Sequence, residues 1–113
     1  MQPESAKFLS DILEAASSIV DYTRSKTRAD YLADSQLRHA VQWNFTIIGE
    51  ALGQLLKIDP DTAARITEWR RIIAFRNQLI HGYGVIKNEI TWDIIQSKLP
   101  ILCADVRGLL GLV

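Results

Sequence analysis

Apolar residues recur at helical spacing along most of this chain, and no segment alternates with a period of two, a pattern that predicts an all-α protein. Phe8, Ile12, Ala15, Ala16, Ile19 and Val20 share one face, with Lys7, Asp11, Glu14 and Asp21 on the exposed side, so an amphipathic helix is expected from Glu4 to about Arg24. Pro3 suits its start. Thr27 to Ala33 reads as a short helical turn, and Asp34 or Ser35 can cap the next segment by accepting a bond from a free backbone amide. That segment, Ser35 to about Ile58, is the longest uninterrupted helix. Leu37, Ala40, Val41, Ile48, Ala51, Leu52 and Leu55 make a wide apolar arc, and Gln36, His39, Gln42, Thr46, Glu50, Gln54 and Lys57 a polar stripe opposite. Asp59-Pro60 ends it. Pro60 to Ile66 reads as a short helix or turn, and Thr67 or Glu68 opens a helix that runs through His81. A last helix begins near Asn88 and carries Ile90, Ile94, Ile95, Leu99, Leu102, Val106 and Leu109, with Pro100 bending or splitting it. Short connections among four to five such helices imply an antiparallel up-and-down bundle.

At 113 residues with 48% apolar content, one domain over 1–113 is expected. Thirteen basic residues balance thirteen acidic ones, so attraction to nucleic acid must come from a local patch. Arg65, Arg70, Arg71 and Arg76 supply the most basic stretch, in which Glu68 is the only acid; a solvated helix face is the slightly better account of Arg70 and Arg71 taken alone. Cys103 is the only cysteine, which excludes an internal disulfide and a cysteine-based zinc site, and two histidines far apart argue against a metal centre. No cofactor is implied. The start has no basic run followed by an apolar core, and no window of about twenty apolar residues exists, so a soluble cytoplasmic protein with no membrane association is expected.

Two polar residues interrupt the apolar arcs. Arg76 falls among Trp69, Ile72, Ile73, Phe75, Leu79 and Ile80, where a permanent cation is costly unless carboxylates, amides or phosphates surround it. Asn44 sits likewise in the arc of the long helix, and the two are expected to lie near each other; the competing reading gives Asn44 a water or a local carbonyl. Glu50 can reach Arg76, although its place in the polar stripe favours a solvated or interfacial carboxylate. Gly49 and Gly53, one turn apart, permit a close helix approach. Gly82 and Gly84 stop the helix after His81, glycine tolerating the left-handed conformation that commonly follows a helix.

His81 lies at a helix C-terminus, where unpaired carbonyls and the helix dipole favour an imidazolium, a placement suited to proton transfer. Cutting RNA without a metal needs a group to take the proton from a 2′-hydroxyl and a cation to hold the charge building on the phosphate. His81 and Arg76 match those roles. Five positions turn through about 140°, so the pair does not share a helix face. Two copies whose motif helices cross near a two-fold axis would each supply half of a cleft, and a dimer would also cover the broad apolar surface of these helices.

The run Arg76, Asn77, Gln78, Leu79, Ile80, His81, Gly82, Tyr83 resembles the HEPN superfamily, most closely its HepT branch, the toxin half of the HepT/MntA toxin–antitoxin systems. Arg76, His81 and Tyr83 match the pattern of Arg, four residues, His, one residue, Tyr, and Asn77 fills a position that is usually polar. Asn44 with Ile47, Ile48, Gly49, Glu50 and Ala51 resembles the long-helix signature, and Trp92, Asp93 and Ile94 the last helix. After the tyrosine, Gly84, Val85 and Ile86 stand where many relatives carry a second aromatic and a Gly-x-Asp turn. The resemblance implies a HEPN-like helical homodimer and a metal-independent endoribonuclease in which Arg76 and His81 carry the reaction. Asn77 and Asn44 are the supporting residues of this reading. It also implies a partner, a minimal MntA-like nucleotidyltransferase that neutralises the toxin by transferring AMP to Tyr83. The rival reading is a non-catalytic module that docks a nucleotidyltransferase, with Tyr83 merely presented, or an aromatic that covers the helix end.

Overall fold

The computed structural model describes residues 1–82 and 86–112. Seven helices are present among them: α1 (Pro3–Thr23), α2 (Arg28–Ala33), α3 (Ser35–Ile58), α4 (Pro60–Ala63), α5 (Trp69–His81), α6 (Asn88–Ser97) and α7 (Leu99–Leu109). The described residues contain no strand. The count exceeds the expected four to five for two reasons. Pro60 starts a four-residue helix of its own, and the last apolar stretch divides at Lys98. Pro100 has no amide hydrogen to bond back into α6, but it fits the first turn of a new helix, where that donor would be unpaired anyway.

Local chemistry sets the boundaries. At the head of α2, Thr27 Oγ1 accepts from the Asp30 amide at 3.1 Å and Asp30 Oδ2 accepts from the Thr27 amide at 2.9 Å, a reciprocal cap. Hydrogen bonding to the carboxyl from the Thr27 amide, and then from the Thr27 hydroxyl, holds Asp30 below its ordinary range. Asp34 caps α3 by accepting from Leu37. Asp59 closes α3 and opens α4, accepting from the Thr62 hydroxyl at 2.7 Å and the Thr62 amide at 3.2 Å. Ser5 Oγ donates to the same carboxylate at 2.8 Å. The start of α1 therefore meets the end of α3, and the two helices run antiparallel.

α3 is the central element, with α1 on one side and α5 on the other; α7 packs on α1, and α6 on α2 and α7. Leu9, Ile12 and Ile19 of α1 meet Val41, Ile48, Leu52 and Leu55 of α3 in a core that Ile66, Leu99 and Val106 complete, all essentially inaccessible to solvent. Each such side chain contributes roughly 1.5–3 kcal/mol of burial free energy. Tyr31 and Trp92 join α2 to α6 with ring centroids 5.5 Å apart. Burial lifts the Tyr31 hydroxyl to about 12. The molecule measures 42 × 31 × 19 Å, and a thickness of 19 Å admits only two layers of helices at ~10 Å each. An outer helix such as α5 consequently has the core on one side only. No described helix is long and apolar enough to cross a membrane.

Candidate functional site

α5 holds none of its residues fully buried. Trp69, Ile72, Ile73, Phe75, Leu79 and Ile80 are half-buried, whereas Arg70, Ala74, Asn77, Gln78 and His81 are exposed. The helix is seated by its ends and its middle. Glu68 precedes it in a left-handed conformation, φ 56°, and spends its carboxylate on Arg71 at 3.3 Å and Lys98 at 3.2 Å rather than on capping. The Thr67 amide donates to Asp105 Oδ2 of α7 at 2.8 Å. In the middle, Phe75 meets Phe45 of α3 edge to face, centroids 5.2 Å apart.

Beside that contact α5 crosses α3 at Gly49. A Cβ at this position would fall onto the Cβ and Cγ of Arg76, so the approach needs glycine. Gly53 behaves differently: an added Cβ there would meet nothing within 4 Å. One of the two expected close-packing glycines is thus used for that purpose and the other is not.

The crossing answers what polar group accompanies Arg76. Its Nη2 donates to Glu50 Oε2 at 2.6 Å and its Nη1 to Asn77 Oδ1 at 3.0 Å. Nε is buried with no partner among the described residues. The arginine side chain is 24% exposed and that of Glu50 54%. Glu50 is solvated, as its place in the polar stripe favours, and is at the same time the ion-pair partner of Arg76, because the crossing at Gly49 delivers Arg76 to the next position on α3. Asn44, expected near Arg76, turns to its own helix and donates to the Ala40 carbonyl at 2.9 Å. The crossing point lies five residues further on, ~7.5 Å along the axis and about 140° round it, and a local carbonyl is the nearer acceptor. Neither neighbour was legible from periodicity, since the pairing depends on where two helices touch; a glycine beside a carboxylate was the available signal.

His81 is the last residue of α5 and is exposed. The Gly82 amide closes the helix on the Gln78 carbonyl at 2.8 Å, and Gly82 has φ −108°, so the expected left-handed exit is not taken at this glycine. Gly84 and Tyr83 lie outside the described residues. Although Arg76 and His81 leave the helix about 140° apart, the arginine head group is drawn onto Asn77, which is about 40° from His81. The arrangement presents a guanidinium held by one exposed carboxylate and one amide on the helix that ends in a solvent-facing imidazole. Among the described residues no three His, Cys, Asp or Glu side chains gather where a metal ion could be held.

Comparison with known proteins gives the chain's family. The chain matches the family model described as "Ribonuclease HepT-like" over residues 12–107. It is 36% identical over 93 residues to "Putative RNase MJ0127" of Methanocaldococcus jannaschii, covering 82% of this chain and 76% of the relative. It is 31% identical over 98 residues to "Probable ribonuclease HepT" of Thermococcus cleftensis, covering 84% and 86% respectively. No solved structure matches.

Proposed function

The chain belongs to the HepT-like ribonuclease family, and from that premise we propose that it is a metal-independent endoribonuclease, the toxin half of a toxin–antitoxin pair, working as a homodimer in the cytoplasm. The observation that carries the reading is the pose of Arg76, seated on Gly49 with its head group between Glu50 and Asn77, beside the exposed face that bears His81. In this mechanism an RNA phosphate takes the guanidinium N–H groups that Glu50 and Asn77 leave over. His81 accepts the proton of the neighbouring 2′-hydroxyl, a bond forms from the 2′-oxygen to phosphorus, and Arg76 stabilises the charge on the phosphorane. The bond to the 5′-oxygen then breaks as that oxygen receives a proton from the symmetry-related His81, leaving a cyclic phosphate.

The dimer is supported by α5, whose apolar side chains the single chain leaves half-covered, and by Trp43, 65% exposed, which shares the α3 face of Glu50 seven residues away. The antitoxin would be a nucleotidyltransferase that adenylylates Tyr83. A phosphate two residues from His81 would place negative charge near Arg76 and obstruct a substrate.

The test is cleavage of single-stranded RNA in the presence of a chelator, by protein whose mass shows no AMP. The native chain should cut, and His81→Ala should lose ~10²–10⁴-fold in rate. An inactive native chain, or a variant as active as the native chain, would overturn catalysis by His81 and favour the docking-module reading.

A further inference from the structure

Beyond the reacting pair, α5 carries a second feature suited to RNA. The Arg70 guanidinium lies over the Trp69 ring, 4.4 Å from its centroid, and among the described residues Arg70 has no carboxylate partner. Cation–π attraction holds the guanidinium against the indole; the residue is nonetheless exposed, so the group stays accessible from solvent. Arg65, Arg71 and Lys98 belong to the same corner. The acids there are Glu68, already shared between Arg71 and Lys98, and Asp105, which accepts from the Thr67 amide, so cations outnumber acids. The surface between Arg65, Trp69 and Arg70 is hollowed, with a volume of about 460 Å³.

Position on the helix links this corner to the motif. Arg70 and His81 are eleven residues apart, which places them about 20° from each other in rotation and ~16 Å apart along the axis. Ala74 and Asn77 lie between them on the same exposed side, one too small to obstruct a strand and the other a hydrogen-bonding group. We propose that Arg70, seated on Trp69, is a stacking platform for one nucleobase of single-stranded RNA, whose backbone then follows this side of α5 to the linkage at His81. The proposal rests on the ribonuclease reading and narrows its substrate: in a duplex both faces of each base are already stacked, whereas an unpaired base is free to lie on an aromatic or guanidinium plane.

Binding is measured with the full chain in a His81→Ala background, so that nothing is cut. The probes are a labelled single-stranded RNA, the same sequence as a duplex, and inorganic polyphosphate. Arg70→Ala should weaken the single strand about tenfold, the worth of one stacked base, with little change for the duplex. Arg70→Lys, which keeps the charge and loses the plane, should weaken the single strand nearly as much. If Arg70→Lys binds as the parent does, or if Arg70→Ala loses polyphosphate as strongly as RNA, the corner is a charged patch and the platform is refuted. The two readings fail separately. Arg70-dependent binding by a chain whose native form cuts no RNA would refute the nuclease alone; RNA cutting by a native chain whose Arg70 variants bind normally would refute the platform alone.

Discussion

α3 and α5 each carry apolar side chains at helical spacing, yet α3 buries eight residues and α5 none. The difference comes from position. α3 has α1 on one side and α5 on the other, while α5 lies at the margin of a body two helices thick. One helix holds the fold together; the other is held by it and keeps most of its surface for something else. The contrast breaks first at the core. Leu52, wholly enclosed, should cost ~2–5 kcal/mol when replaced by alanine, read as a lower denaturation midpoint at every protein concentration. Ile73→Ala on α5, starting half-covered, should cost roughly half as much and act chiefly on association. The native midpoint should rise with protein concentration, and Ile73→Ala should flatten that rise. Equal losses from the two variants, independent of concentration, would mean that α5 is an ordinary core helix.

The two glycines of α3 sharpen the comparison at the contact itself. Gly49→Ala must push the Arg76 stem, and α5 with it, away from α3, at ~1–3 kcal/mol for overpacking, and nuclease activity should fall because Arg76 loses its seat. Gly53→Ala, with open space around its Cβ, should stabilise by up to ~1 kcal/mol through helix propensity alone. Opposite signs one turn apart, measured by denaturation, are the expected outcome. A neutral Gly49→Ala would show that the close crossing is not needed.

These pairs also show how far the chain could be read without coordinates. Ser35–Ile58 agrees with the helix expected from Ser35 to about Ile58, because a polar cap, placed at Asp34, and a proline after Asp59 bound an unbroken 3.6-residue pattern. α1 differs from expectation by one residue at each end. Local chemistry of this kind lies within a few positions and is written in sequence. The split at Lys98 was only half legible: a proline says that a helix is disturbed, while the depth of the break depends on what the new first turn can pack against. The Glu50–Arg76 pair, separated by 26 positions, was legible only as one of two alternatives, since periodicity assigns faces and leaves open which point of one helix touches another. Asn44 shows the reverse error. Two polar residues in apolar arcs suggest mutual partners, and a carbonyl one turn away on its own helix satisfies the amide first.

Glu50 itself gives the smallest expected effect and the most specific one. More than half of its side chain is in water, so the ion pair adds only ~0–1 kcal/mol to stability, and Glu50→Gln should hardly move the denaturation midpoint. The amide keeps an oxygen at the place where Arg76 Nη2 donates, which preserves the arginine pose, but it removes a negative charge from the spot to which the proposed mechanism brings an RNA phosphate. KM should therefore fall a few-fold with kcat little changed, and the gain should shrink as salt screens the repulsion. A KM that rises, or a kcat that collapses with KM constant, would mean that Glu50 serves instead to hold Arg76 in place, with its charge required for the hold. Comparing this variant with Gly49→Ala separates the two adjacent residues of α3, one acting through space that must stay empty and the other through charge.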